Sequence, residues 1–316
     1  MRWLVTGGAG YIGSHVVHAL LAADQEPCVI DDLSTGVRSR VPSTVQFMHA
    51  DIRDAGALLD AMDGCDGVIH LAGRKSVGES VDRPLAYWDA NLNGTLDVLR
   101  AMAYQRLPRI VFSSTASVYA EYDRPVTEDD RAAPASPYGA SKLAAEQAIR
   151  DFARASGLRY ATLRYFNVGG CATPALRDTS RDNLIPRVID ALLDDESPTI
   201  YGDDYPTPDG TAIRDYIHAQ DVAEAHAIIA RRVDAIPSGV YNIGTGQGTS
   251  VRELVEGMIR VSGVGMFPMT VGRRSGDAAY AVANASKVYW ATGWKARRNV
   301  TDVLVSAWDS AQSRHQ

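Results

Sequence analysis

Apolar residues gather in short, β-branched runs through the first half of the chain: RWLVT at 2–6, PCVID at 27–31, GVIH at 67–70 and RIVFS at 109–113. Two further runs, at 45–49 and 159–164, are of similar length. Runs this short and this uniformly apolar suit strands buried on both faces, as in a parallel sheet covered by helices. Between them lie longer stretches with apolar positions at helical spacing, over 11–23, 83–105 and 137–156. The alternation predicts an α/β chain built on a doubly wound parallel sheet.

Beyond Val168 the rhythm changes. GGCATPALRDTSRDN and YGDDYPTPDG are rich in Gly, Pro, Asp and Thr, which favour turns. This predicts a first domain over 1–168 and a smaller α/β ligand-binding domain over 169–316. One strand and helix, at 213–231, are expected to return to the first sheet.

Composition narrows the classes. The 316 residues are 46% hydrophobic and 22% charged, ordinary values for a globular chain. A net charge of −6 argues against nucleic acid as a partner, because such binders carry a basic stripe. No apolar run approaches the ~18 residues needed to span a bilayer, so no membrane partner is expected. RWLV runs straight into glycines rather than into a leader peptide. Cys28, Cys65 and Cys171 are odd in number and form no CxxC, which suits a reduced, cytoplasmic protein. There is no HExxH, so no metal is expected, and His15 and His18 read as surface histidines.

Two motifs carry chemistry. WLVTGGAGYIGSHVVHAL reads strand, glycine turn, helix, with Gly7, Gly10 and Gly13 spaced as a dinucleotide cradle of the Rossmann kind. Such glycines let the backbone approach a pyrophosphate, and the helix N-terminus offers it unpaired N–H groups. Asp31, 18 residues beyond Gly13, suits a ribose 2′-hydroxyl and repels a 2′-phosphate, which favours NAD over NADP. A second cluster, Gly244, Gly246 and Gly248, lacks that spacing and reads as a tight turn before a Ser250–Glu253 capping box. In SPYGASK, Ser136 caps a helix that Pro137 opens, so Tyr138 and Lys142 fall one turn apart. A free phenol is a poor base at pH 7; nearby cations lower its pKa, and about 3 units, roughly 4 kcal/mol, bring it near neutrality.

These motifs together resemble the extended short-chain dehydrogenase/reductase family. HLAGRKSVGES, NLNGTLDVL, FSSTASVY, SPYGASK, LRYFNVGG, DYPTPDGTAIRDYIH and RRSGD are similar, in order, to its members that epimerise UDP-sugars at C4. The resemblance runs from residue 2 to about 295. It implies that Gly7, Gly10, Tyr11, Ile12 and Gly13 line the pyrophosphate of NAD, Asp31 its ribose, and Asp51 and Ile52 its adenine. Lys75 and Asn91 would lie near the middle of the cofactor, and Tyr138, Lys142 and Tyr165 near its nicotinamide. Thr115, Tyr138 and Lys142 would be catalytic, with Thr115 on the sugar's 4-oxygen. For a UDP-sugar partner, the resemblance implies Asn167 beside the sugar, Asn183, Arg214 and Arg274 on the diphosphate, Asp277 on the uridine ribose, and Thr199, Ile200 and Tyr201 alongside uracil.

The implied reaction interconverts UDP-glucose and UDP-galactose through a transient 4-ketone. Related dehydratases carry an Asp-Glu pair where this chain has Ala116 and Ser117, and elimination lacks its acid and base without them. A UDP-glucuronate epimerase and a non-catalytic NAD-binding sensor are the alternatives. Ala281 falls at the position that gates N-acetylated sugars, with Tyr280 one residue earlier; a small residue there implies use of UDP-N-acetylglucosamine. Asp32 and Arg74 depart from the family's usual residues. A homodimer through the helices at 83–105 and 137–156 is also implied.

Overall fold

The computed structural model describes residues 1–180, 182–274 and 277–312. In chain order it runs β1 (Arg2–Thr6), α1 (Tyr11–Ala22), β2 (Glu26–Asp31), β3 (Phe47–His49), α2 (Ala55–Met62), β4 (Gly67–His70), α3 (Val77–Asp82), α4 (Pro84–Tyr87), a π-helical turn (Trp88–Asn93), α5 (Gly94–Gln105), β5 (Arg109–Thr115), α6 (Pro137–Ser156) and β6 (Arg159–Tyr165). There follow β7 (Asn167–Gly169), α7 (Leu184–Leu193), β8 (Thr199–Tyr201), β9 (Ile213–Arg214), β10 (Tyr216–His218), α8 (Ala219–Arg232), β11 (Gly239–Ile243), β12 (Thr249–Ser250), α9 (Val251–Ser262), β13 (Met269–Val271), β14 (Tyr280–Ala281), α10 (Ser286–Thr292) and α11 (Val300–Gln312).

Seven parallel strands in the order β11-β6-β5-β4-β1-β2-β3 form the central sheet. Alternate residues of each strand feed the two faces. Trp3, Val5, Val111 and Leu163 join α1 and α8 on one side, and Leu4, Ile30, Ile110 and Phe112 join α2, α5 and α6 on the other. Strand order reverses between β1 and β4, and ligands of such sheets bind at the carboxyl ends of the strands there. A separate apolar cluster joins α7, α9 and α11 through Ile189, Leu254, Met258 and Trp308, and it supports the small sheets of the second half.

The structure departs from the sequence pattern in three places. The stretch 83–105 is not one helix: Pro84 opens a new turn after Arg83 leaves helical geometry at ψ 57°, and the chain then widens into the π turn. Pro84 lacks the N–H that would continue α3. The segment 213–231 sends only its helix back, α8 lying along α1; its strands pair elsewhere, β10 with β7 and β9 with β12 and β14. The strand that extends the sheet is β11, whose Tyr241 and Ile243 are buried and pair with Leu163 and Tyr165. His15 is 2% exposed rather than on the surface, because α1 is covered by the 170–172 segment, whose Ala172 N–H donates to His15 Nε2 at 3.1 Å.

Helix α6 follows its sequence signals closely. Ser136 Oγ accepts the Gly139 N–H at 3.2 Å, Pro137 occupies the first turn, and Gly157 ends the helix at φ 76°. Deeper in, Glu146 takes Arg164 in a bidentate pair at 3.0 and 2.6 Å and also accepts from Ser114, which fastens α6 to β5 and β6. Both charged side chains are only 6% exposed, and removing one partner of so dry a pair strands the other.

Burial keeps several histidines neutral: His70 is lowered to about 3, and His226 and His15 to about 4, each chiefly by desolvation. Below the ordinary value near 6.5 the unfolded chain binds protons that the folded chain refuses, so stability is full above that pH and falls as pH drops toward 4. We expect urea midpoints to decline steadily from pH 6.5 to 4, and His226→Phe to flatten the decline by up to ~3 kcal/mol over that window.

Candidate active site

The glycine turn packs main chain on main chain too closely for any side chain. Gly7 adopts φ +69°, and a Cβ there would meet Ala72 N at 2.8 Å; one on Gly13 would lie 2.0 Å from Gly7 O. Helix α1 begins at Gly10 with no side-chain cap and no acid in its first turn, which leaves its N–H groups to an anion. A dinucleotide pyrophosphate fits this cradle. The Tyr11 and Ile12 side chains are engaged elsewhere, which leaves only their main chain for a ligand: the Tyr11 hydroxyl donates to Gly170 O, and Ile12 packs on the core.

At the end of β2, Asp31 accepts N–H groups from Ala9 at 2.9 Å and Leu33 at 2.8 Å. Burial raises its carboxyl, and those two bonds pull it back. Lone pairs remain for a ribose diol, whereas a phosphate would meet a buried anion. Asp32 instead closes an exposed turn with Ser34. Asp51 is ion-paired with Arg53 at 2.6 Å, and Ile52 is buried under Gly94. Lys75 is exposed on the loop after β4. Asn91 lies beneath that loop, its amide clamping the main chain of Arg74 at 2.8 and 3.1 Å. The Arg74 side chain pairs with Glu79 at 2.9 Å, which accounts for the charge at that position.

Tyr138 and Lys142 are 9% and 6% exposed, one turn apart on α6. The Tyr138 ring meets Tyr87 edge-on at 6.3 Å, and Lys142 Nζ stands 4.7 Å from the centre of the Phe112 ring. Burial raises the Tyr138 phenol, and Thr115 pulls it back. Burial also lowers Lys142 to about 8, against the pull of Glu146. Desolvation therefore works against both charged forms. Thr115 is set by β5: its Oγ accepts the Ser117 N–H at 3.1 Å, so its one proton is free for the Tyr138 oxygen. Gly139 lets the start of α6 seat on the turn that follows Thr115, since a Cβ there would lie 2.3 Å from Ser117 O.

Tyr165 stands beside Thr115 in register. Its hydroxyl lies 2.6 Å from Ser113 Oγ and 2.5 Å from His226 Nε2. His226 Nδ1, 2.9 Å from Val222 O, must carry the ring proton, so Nε2 accepts from Tyr165 and Ser113 donates to it. The Tyr165 proton is thus occupied, and its ring is buried in the apolar cluster on the α1–α8 side of the sheet.

On the opposite side lie the second-half residues. Arg214 reaches to 4.0 Å from Asp277 and donates to Ile213 O. Arg274 stacks on Tyr201 at 3.7 Å, and its hydrogen bond with that from Arg187 lowers the phenol. Arg187, 2.9 Å from the Tyr201 hydroxyl, was not anticipated; its spacing of one helical turn from Asn183, which precedes α7, was the available signal. Asn183 is held by Asp178 at 2.5 Å. Thr199 is half-buried, whereas the Ile200 side chain is in the core, so Ile200 has only main chain to offer uracil. Asn167 is exposed, its N–H held by Asp215 O. Ala281 pairs with Arg214 and shares its face; Tyr280 pairs with Ile213 and turns toward Gly248. The second glycine cluster is a turn wrapped around Asp215, which accepts from Thr245 N, Thr245 Oγ, Gly246 N and Ala283 N.

Residues 3–244 match the profile of the NAD dependent epimerase/dehydratase family. Over 314 residues the chain is 42% identical to a UDP-glucose 4-epimerase of Streptomyces lividans, covering 98% of this chain and 95% of that one. The crystal structure of UDP-glucose-4-epimerase from Stenotrophomonas maltophila with bound NAD and formylated UDP-arabinopyranose aligns at a TM-score of 0.93 and 38% identity over 100% of both chains. That of UDP-glucose 4-epimerase from Bifidobacterium longum, in complex with NAD+ and UDP, aligns at 0.93 and 35%, over 100% of this chain and 99% of that one.

The cradle makes a direct prediction. Gly13→Ala places a methyl against Gly7 O, so the purified protein should lose most of its bound dinucleotide, read as absorbance released on denaturation. Full retention would show that the cradle is not the site.

Proposed function

The chain belongs to the NAD dependent epimerase/dehydratase family, and on that footing we propose that it interconverts UDP-glucose and UDP-galactose by inverting C4. The observation that carries this reading is the buried Tyr138 phenol, which shares a helix face with Lys142 and whose pKa Thr115 pulls down against its burial. Tyr138 takes the proton from the 4-hydroxyl and later returns one, Thr115 holds the 4-oxygen, and Lys142 stabilises the phenolate. Gly7, Gly10, Gly13 and Asp31 hold NAD, with main chain from Tyr11 and Ile12. When bound, NAD⁺ supplies a fixed positive charge and the acceptor that takes hydride from C4 and gives it back. Bringing the phenol down against its burial requires those charges together, because a dry pocket leaves them little screened.

Arg214 and Arg274 present planar donor forks to the diphosphate, Arg187 and Tyr201 border the base, and Asn183 and Asp277 complete the nucleotide side. Elimination is disfavoured because Ala116 and Ser117 supply no acid or base beside Thr115. UDP-N-acetylglucosamine and its C4 epimer are also substrates, a reading supported by the small Ala281 on the Arg214 face. The protein works as a homodimer in the cytoplasm. Exposed Leu85 and Tyr104 on α4 and α5 support the former, and three free, buried cysteines the latter.

The test is proton NMR of anomeric signals with UDP-galactose, and separately UDP-N-acetylgalactosamine, adding no NAD. Conversion of both is expected. Conversion of neither, with NAD supplied, would overturn the reading, and turnover of UDP-glucuronate instead would favour that substrate. Tyr138→Phe should lower kcat by about 10²–10⁴-fold. Ala281→Tyr should cut the N-acetylated reaction by about tenfold or more while sparing UDP-galactose.

A further inference from the structure

Beneath the active site runs a row of polar side chains that the reaction does not use. Thr6, His70, Asn91, Thr95 and Ser141 are each at most 1% exposed, yet they come from β1, β4, the π turn, α5 and α6. Thr6 Oγ accepts the N–H groups of Leu71 at 3.2 Å and Ala72 at 3.1 Å, on the floor of the glycine cradle. It lies 2.7 Å from His70 Nδ1, and His70 Nε2 lies 3.0 Å from Thr95 Oγ. Thr95 donates to Asn91 O at 2.6 Å, Asn91 Nδ2 donates to Ser141 Oγ at 3.0 Å, and Ser141 donates to Tyr138 O at 2.8 Å.

Every proton in this row has one allowed position. Thr95 has a single hydroxyl proton and gives it to a carbonyl, so it must accept from His70 Nε2–H. Neutral His70 then has a bare Nδ1, which must accept the Thr6 hydroxyl. A donor-to-acceptor sequence therefore passes from the cradle floor to the backbone of Tyr138. The imidazole is its only member that bonds through two ring atoms held rigidly apart.

We infer that His70 is a positioning residue: a neutral imidazole protonated on Nε2, which fixes the Tyr138–Lys142 turn of α6 relative to the cofactor cradle. The inference rests on Tyr138 being the base. Cutting the row frees that turn to shift against the cradle and against Thr115, weakens the stabilisation of the phenolate and raises the phenol's pKa. The groups facing the pair are Tyr87 from α4, Thr115 from β5, Tyr165 from β6, His70 from β4 and Glu146 from α6 itself. All of them are retained in Thr95→Val, which orphans His70 Nε2 without touching the pocket.

The experiment uses the NAD-loaded enzyme. Thr95→Val and His70→Phe should each lower kcat for UDP-galactose about tenfold, with KM within about twofold of wild type. The acidic limb of the kcat profile should move upward by about half a pH unit or more, because a base with a raised pKa is lost at higher pH. Ultraviolet titration of tyrosinate, with the Tyr138→Phe curve subtracted, should show the same upward shift without any turnover. Thr95→Ser, which keeps the hydroxyl, should restore both readouts. The double variant should be no worse than His70→Phe alone, since one cut already breaks the row. A Thr95→Val enzyme with wild-type kcat and profile would overturn the inference, even if His70→Phe fails to fold. So would a drop in kcat with no change in the tyrosinate titration. If wild type leaves UDP-galactose unchanged while the titration still shifts in Thr95→Val, the substrate assignment fails and the positioning role stands.

Discussion

Dry burial of charge on one face of α6 is the constraint around which the site is built. Tyr138 and Lys142 both lose hydration there, and desolvation opposes the charged form of each. A group in that position cannot rely on water to correct small errors of placement. The helix is accordingly fastened at several depths: capped by Ser136, seated on Ser117 by Gly139, tied to Asn91 by Ser141 and locked to Arg164 by Glu146. Gly139 shows how directly packing enters chemistry. Without a hydrogen in place of Cβ, the start of α6 could not seat on the turn that follows Thr115.

The glycine turn and the cluster of second-half residues solve different problems. The cradle is a steric object, made by glycines whose side chains would collide with main chain. The opposite side is electrostatic, with Arg187, Arg214 and Arg274 arranged around Tyr201 and Asp277. Asp215 holds that side together. Its carboxylate gathers the turn at 245–246 and Ala283, while its main chain pairs with Ala281 and Asn167. Glycines at 244 and 248 let the turn close over Asp215 and Ile213, which gives the second glycine cluster a structural purpose.

Much of the first half was legible because its signals are local. β1 and β4 span the residues that the apolar runs predicted, and α6 starts at its Ser-Pro signal and covers the expected 137–156. The cradle was legible for the same reason: three glycines at fixed spacing between a strand and a helix have few uses. The break at Pro84 was written in the sequence but outweighed by the helical period of the flanking residues, and the π turn after it left no local mark.

What the sequence determined by itself was the class of fold, the dinucleotide cradle and the one-turn spacing of Tyr138 and Lys142, since each depends on geometry within a few residues. Tertiary structure alone decided that β11 rather than the 213–218 segment completes the sheet, that Ile200 faces the core, and that Arg187 meets Tyr201. It also decided which proton each member of the Thr6–His70–Thr95–Asn91–Ser141 row carries. These outcomes depend on contacts between residues tens of positions apart, such as Thr6 and His70 or Asn91 and Ser141. Chain spacing does not encode which faces will meet; that follows only when the strands stack and the helices bury their apolar sides.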